Sequence, residues 1–173
     1  MKAVICVALK SELPEYVHAP VLYTGVGKVN ATYALTEYLF HHKVDTVINM
    51  GSAGGLHAKD RYTLQEIGRI LDGDMHYPNY VENWIDVVNP DLYTLGTFDS
   101  FQTTKPSKKM DCVDMEAYAL AYVCQKLGKR FICYKYISDI IGDDNQEQKW
   151  IKKHSSGQAL ITEQLNKILL TSQ

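Results

Sequence analysis

The sequence predicts an α/β protein, a single three-layer domain over residues 1–173 with a mostly parallel or mixed twisted central sheet flanked by helices. Three observations predict it. Short apolar runs bounded by turn residues alternate with segments whose apolar residues recur at helical spacing, which is the pattern of strands crossed over by helices. Glycines, acids and an aromatic fall just after those runs, at the rim where open α/β sheets bind ligands. With 173 residues, 46% hydrophobic and 22% charged, the chain has the length and composition of one domain with a sizeable core.

The elements follow in order. Ala3–Leu9 is an apolar run closed by Lys10, Ser11 and Glu12, too short to span a bilayer and without a cleavage-type site, so it is a first strand and not a signal peptide. Val21–Thr24 is a second strand, followed by "TGVGKVNAT". Val29, Ala34, Leu35, Tyr38 and Leu39 share one helical face, and His41 and His42 complement that helix's C-terminal dipole. Thr46–Met50 is a third strand that runs into "GSAGG", and Tyr93–Thr97 a fourth, followed by Phe98 and Phe101. Leu120, Ala121, Cys124 and Leu127 mark a helix stopped by Gly128. Phe131–Ile137 is the last strand, and Leu160, Ile161, Leu165, Ile168 and Leu169 form the last helical face. The polar stretches Thr103–Asp111 and Gly142–Lys149 are expected to be exposed loops.

Composition excludes several functions. A net charge of −2 with scattered lysines gives no footprint for nucleic acid or an anionic membrane. Cys6, Cys112, Cys124 and Cys133 match neither a zinc pair nor a redox CxxC, and are expected to be reduced, buried and cytoplasmic. His41 and His42 are C-terminal dipole partners, and His18, His57, His76 and His154 have no ligand spacing, so no metal site is expected.

The stretch "VINMGSAGGLHA" admits two readings: a tight turn that needs glycine, or a backbone presented to a ligand with Ser52 among its N–H groups. Glu116 stands in an otherwise apolar helix start, where it serves the helix dipole or accepts hydrogen bonds from sugar hydroxyls. Asp139 follows the last strand as a turn former or as an acid whose proton affinity burial would raise. Glu12 in "SELPE" caps a short helix or acts as a base. Phe98 and Phe101 are core residues or a flat surface for a purine.

The four ordered motifs "TGVGKVNAT", "INMGSAGGL", "VDMEAYALAYVC" and "YISDIIGDD", with Glu12 near the N-terminus, resemble the purine nucleoside phosphorylase superfamily. The nearest branch is the 5′-methylthioadenosine/S-adenosylhomocysteine nucleosidases. The resemblance implies a cofactor-free N-glycosyl hydrolase acting on a purine nucleoside, with a homodimeric assembly. It implies that Glu12 activates water, that Ser52 orients the catalytic acid, and that Phe101 stacks on the base. Met115 and Glu116 would lie under the ribose, with Glu116 accepting from its hydroxyls, while Ser138 and Asp139 match a Ser-Asp pair whose aspartate serves the purine ring nitrogen. Trp150 lies close to the position of an aromatic at the 5′ pocket.

Two departures accompany the resemblance. The chain is shorter than the family pattern between Asp72 and Pro90, where "DMHYPNYVENW" leaves Tyr77, Tyr80 and Trp84 as its large side chains, and Lys135 replaces an arginine. A phosphorylase needs cations for phosphate; Arg61, Arg69 and Arg130 lie outside both glycine motifs, and Lys28 is the basic residue that could substitute. Phosphorolysis and silent nucleoside binding are the alternatives to hydrolysis.

Overall fold

The computed structural model describes residues 2–75, 84–107 and 109–170. Tyr77 and Tyr80 of the shortened segment fall outside them. In chain order the elements are β1 (Ala3–Val7), β2 (Val21–Tyr23), α1 (Lys28–His41), β3 (Thr46–Asn49), β4 (Ser52–Gly55), β5 (Leu64–Asp72), β6 (Trp84–Asp86) and β7 (Tyr93–Thr97). They continue with β8 (Cys112–Asp114), α2 (Ala117–Lys126), β9 (Arg130–Ile140), α3 (Gln146–Lys153) and α4 (Gln158–Leu170).

The strands lie in the order β2-β1-β3-β9-β4-β8-β7-β5-β6, with a further pairing of β9 to β5. The long strand β9 organises the sheet. Its first residues pair in parallel with β3, as Thr46 with Arg130 through Asn49 with Cys133. Its later residues pair in parallel with β4 and antiparallel with the start of β5. The circuit β9-β4-β8-β7-β5-β9 therefore closes on itself, so the mixed sheet expected from the sequence curls at one end into a small barrel.

Period-two alternation gives β1 two buried faces. Val4 and Cys6 join α1 and α2 in one core that includes Leu35, Leu120 and Cys124. Ile5 and Val7 join Ile161 and Leu165 of α4 on the other side. This is the predicted layering of helices on both faces, and each fully buried aliphatic side chain contributes about 1.5–3 kcal/mol to it. All four cysteines are free and buried.

The structure corrects the sequence at particular places. "SAGG" is not a turn but the strand β4, held by β8 and β9. Gly142–Lys149 is not wholly a loop, because α3 starts at Gln146 after Asn145 adopts the left-handed conformation (φ 56°). Val29 is 81% exposed and so lies off the buried face of α1, whose fully buried members are Ala31 and Leu35. The stretch 103–111 carries no helix or strand in its described residues, yet Met110 is buried against Phe98 and Leu71. Gly128, at φ +62°, follows α2 as expected.

Candidate active site

A cavity of about 270 Å³ opens at the strand ends, near the lower end of the roughly 300–1,000 Å³ typical of small-molecule sites. Glu12, Ser52, Phe101, Met115, Glu116 and Asp139 all line it, so six of the seven residues singled out in the sequence converge on one pocket. Ser138 lies directly behind, fully buried. Of the two phenylalanines, Phe98 is a core residue at 7% exposure and Phe101, at 37%, stands in the pocket wall.

Glu12 ends a 3-10 turn (Lys10–Glu12), and its carboxylate receives three donors. Leu9 N–H donates to Oε2 at 3.0 Å, while Ser52 N–H and Ser52 Oγ donate to Oε1 at 2.7 and 2.8 Å. Glu12 thus accepts from the backbone of its own short turn, as the capping reading expects, and also lines the cavity. The glycine motif presents its backbone to this carboxylate of the same chain. A Cβ on Gly51 would stand 3.2 Å from Glu12 Oε1, so the bare position gives the acid room. Trp150 Nε1–H donates to Ser52 Oγ at 3.3 Å, joining α3 to the same network.

Glu116 occupies the N-cap position of α2 without capping it. Asp114 does that work, accepting from Ala117 N–H at 2.9 Å. The Glu116 side chain is thereby left to reach Gly27 N–H, at 2.8 Å, in the glycine loop before α1. Burial, reinforced by the Asp114 and Glu12 charges and opposed by Lys135 and Gly27 N–H, pushes the Glu116 carboxyl up to about 7. Lys135 is buried beside it and pairs with Asp114 Oδ2 at 2.9 Å. Burial alone would lower the Lys135 ammonium, but the charge and hydrogen bond of Asp114, with the Glu116 carboxyl nearby, outweigh that and hold it above its ordinary value.

A raised carboxyl makes a stability prediction. Between the ordinary value of 4.5 and about 7 the folded chain keeps a proton that the unfolded chain releases, so stability falls as pH rises through that window. The loss is about 3 kcal/mol. Glu116→Gln cannot ionise and is expected to flatten this slope and to melt above wild type at pH 8. Calorimetry from pH 4.5 to 8 checks it, and parallel curves for the two proteins would contradict it.

Asp139 is fully buried at the end of β9. The β4–β9 register jumps between Ala53 and Gly54, so that Ala53 pairs with Ile137 and Gly54 with Asp139, and Ser138 is the extra residue of the bulge. Such a bulge re-aims neighbouring side chains. Here Ser138 Oγ donates to Asp139 Oδ1 at 2.7 Å. Burial raises the Asp139 carboxyl above its ordinary value, against the opposing hydrogen bonds from Ser138 and Gln146 and the charge of Arg61. An acid of this kind can hold a proton and release it to a base in the pocket.

Sequence reasoning missed Gln146, Gln102 and Val26, which also line the cavity. Trp150, expected only from the resemblance, stands edge-on to Phe101 with ring centroids 5.9 Å apart. Lys28 does not line the cavity and is surrounded by carboxylates. Its Nζ lies 3.1, 2.8 and 3.3 Å from Asp72, Asp74 and Asp99. Arg61 pairs with Asp143 at 2.6 Å and Arg69 with Asp86 at 2.6 Å. Among the described residues no group of three or more histidine, cysteine or carboxylate side chains is placed to hold a metal ion.

The sequence profile of the phosphorylase superfamily matches residues 15–63 and 96–171. The unmatched residues between them contain the shortened segment. A 5′-methylthioadenosine/S-adenosylhomocysteine nucleosidase of Bacillus pumilus is 30% identical over 165 residues, covering 72% of this chain and 69% of the relative. One of Chromohalobacter salexigens is 26% identical over 193 residues, covering 90% and 82%. In solved structures, the nucleosidase of Colwellia psychrerythraea in complex with adenine aligns with a TM-score of 0.79 at 20% identity, covering 95% of this chain and 92% of that one. Futalosine hydrolase of Helicobacter pylori aligns at 0.79 and 18%, covering 99% and 97%. At these identities the structural likeness is one of fold.

Proposed function

Because the chain belongs to the phosphorylase superfamily, on its 5′-methylthioadenosine/S-adenosylhomocysteine nucleosidase branch, we propose that it hydrolyses the N-glycosidic bond of an adenosine-type nucleoside, taking one domain over residues 1–173. Cleavage builds positive charge on the sugar and negative charge on the departing purine. Glu12, held open by three donors, takes a proton from water as its oxygen bonds to the anomeric carbon. Asp139 gives its proton to the purine ring nitrogen as the C–N bond breaks. Glu116 accepts from the ribose hydroxyls, Met115 packs beneath the sugar, and Phe101 stacks on the base.

The observation that favours hydrolysis over phosphorolysis is the state of the cations. Lys28 is claimed by three aspartates and Lys135 by Asp114, while the pocket itself carries the Glu12 carboxylate and, above about pH 7, that of Glu116. That charge stabilises a developing sugar cation and repels phosphate. Incubation with 5′-methylthioadenosine, with and without phosphate, is expected to give free adenine and free sugar at equal rates. Sugar 1-phosphate as the obligatory product would overturn hydrolysis, and no free base at all would leave nucleoside binding alone.

Val29, Tyr33 and Phe40 of α1 are 81%, 70% and 80% exposed, and with Val26 at the pocket rim they support assembly as a homodimer over this face. A monomeric mass by sedimentation would remove that reading. Among the described residues no helix is long and apolar enough to cross a membrane. The four free, buried thiols fit a reducing cytoplasm.

A further inference from the structure

Gln146, the first residue of α3, is 4% exposed, and every polar atom of its side chain is engaged. Its Nε2 donates to Asp139 Oδ2 at 2.7 Å and to the Gln102 carbonyl at 2.9 Å. Its Oε1 accepts from Gly142 N–H at 3.1 Å. The amide can have only this orientation, since a flip would turn its oxygen toward a carboxylate and a carbonyl. One side chain thus links three parts of the pocket: the acid on β9, the loop that carries Phe101, and the turn that leads into α3.

We infer that Gln146 is the positioning residue for the leaving-group acid, fixing the Asp139 carboxyl against the base-binding loop and setting how tightly it holds its proton. This rests on the nucleosidase reading of Asp139. The groups that face Asp139 are few. Ser138 donates from its own strand and Gln146 from α3. The charges of Arg61, ahead of β5, and Asp143, ahead of α3, act in opposite senses and pair with each other, with Lys149 also on Asp143. The carboxylates of Glu12, Glu116 and Glu147 line the same cavity. The two directed donors, Ser138 and Gln146, touch the carboxyl itself, and both favour the ionised acid. Gln146 therefore keeps Asp139 able to give its proton up, where burial alone would hold it.

Gln146→Met removes the donor at similar volume. Carboxyl carbon NMR on aspartate-labelled protein, with the Asp139 signal assigned by Asp139→Asn, is expected to show the Asp139 midpoint rising by about one pH unit in the variant. The alkaline limb of kcat should move the same way. Below both midpoints, where Asp139 is protonated in both proteins, turnover of 5′-methylthioadenosine should fall about threefold to tenfold, while 4-nitrophenyl riboside, whose leaving group needs no proton, should change less than about twofold. Gln146→Glu sets an acceptor against Asp139 and is expected to raise the midpoint further, which gives the same readout if the methionine variant does not fold. A midpoint unmoved in a folded variant overturns the inference. The titration needs no turnover, so a wild-type protein that cleaves no nucleoside would fail the nucleosidase reading alone.

Discussion

Asp139→Asn is expected to lower turnover of a purine nucleoside by about three powers of ten, within the range that general acid catalysis supplies, while binding largely survives. The substitution keeps the shape of a fully buried side chain. Its carbonyl oxygen can still accept from Ser138 Oγ, which stands 2.7 Å from Oδ1 in the native protein. The amide nitrogen then faces Gln146 Nε2, donor against donor, where the native pair is an amide on a carboxylate at 2.7 Å. That mismatch costs about 1–3 kcal/mol, so the melting temperature should drop by several degrees. A structural turn aspartate would show that drop and keep its rate per folded molecule. Melting temperature, affinity for a non-hydrolysable analogue and single-turnover rate on one preparation separate the cases, and a near wild-type rate would mean that the proton comes from elsewhere.

How far the sequence could be read follows from what kind of signal each residue leaves. Glu12, Ser52, Glu116, Ser138 and Asp139 sit inside contiguous motifs at strand ends, where an acid or hydroxyl among apolar neighbours stands out. The parallel strands β1, β3 and β9 are continuous apolar runs and were legible for the same reason. β4 was not, because glycine is depleted in strands, and β4 is "SAGG" held from both sides by its neighbours. β5 was hidden by its own irregularity, a register shift between Ile67 and Arg69 that breaks the alternation.

Gln146 illustrates the harder limit. It lies in "GDDNQEQK", whose composition is that of a solvated loop, and its burial is produced by the left-handed Asn145 and by partners 7 and 44 residues away. The Gly142 N–H bond to its Oε1 is local, but the composition of the stretch does not mark it, and the Gln102 contact depends on the fold. Val29 fails in the opposite sense: it is apolar at helical spacing, yet it faces outward beside Tyr33 and Phe40 in an apolar surface that is exposed among the described residues. Lys28 shows why a candidate cation must be judged by its neighbours. Only the fold brings Asp72, Asp74 and Asp99 around it.

Glu12→Gln is expected to lower turnover by about two to four powers of ten, and its loss will differ in kind from that of Asp139→Asn. The Glu12 carboxylate accepts at both oxygens, from Leu9 N–H and from the Ser52 N–H and hydroxyl. An amide can place an oxygen on one side only, so its nitrogen must confront either Leu9 N–H or the Ser52 pair, and stability falls by about 1–3 kcal/mol as well. The kinetic contrast lies in the leaving group. Asp139 acts on the departing base, so a 4-nitrophenyl riboside should bypass its loss; Glu12 acts on the incoming water, so no leaving group can. The same substrate pair should therefore show Asp139→Asn nearly active and Glu12→Gln inactive on the nitrophenyl sugar, with both poor on 5′-methylthioadenosine. If Glu12→Gln keeps wild-type activity on either substrate, Glu12 is a cap that holds Ser52 in place, and the water must lose its proton to another carboxylate of the pocket, of which Glu116 is the nearest in chemistry.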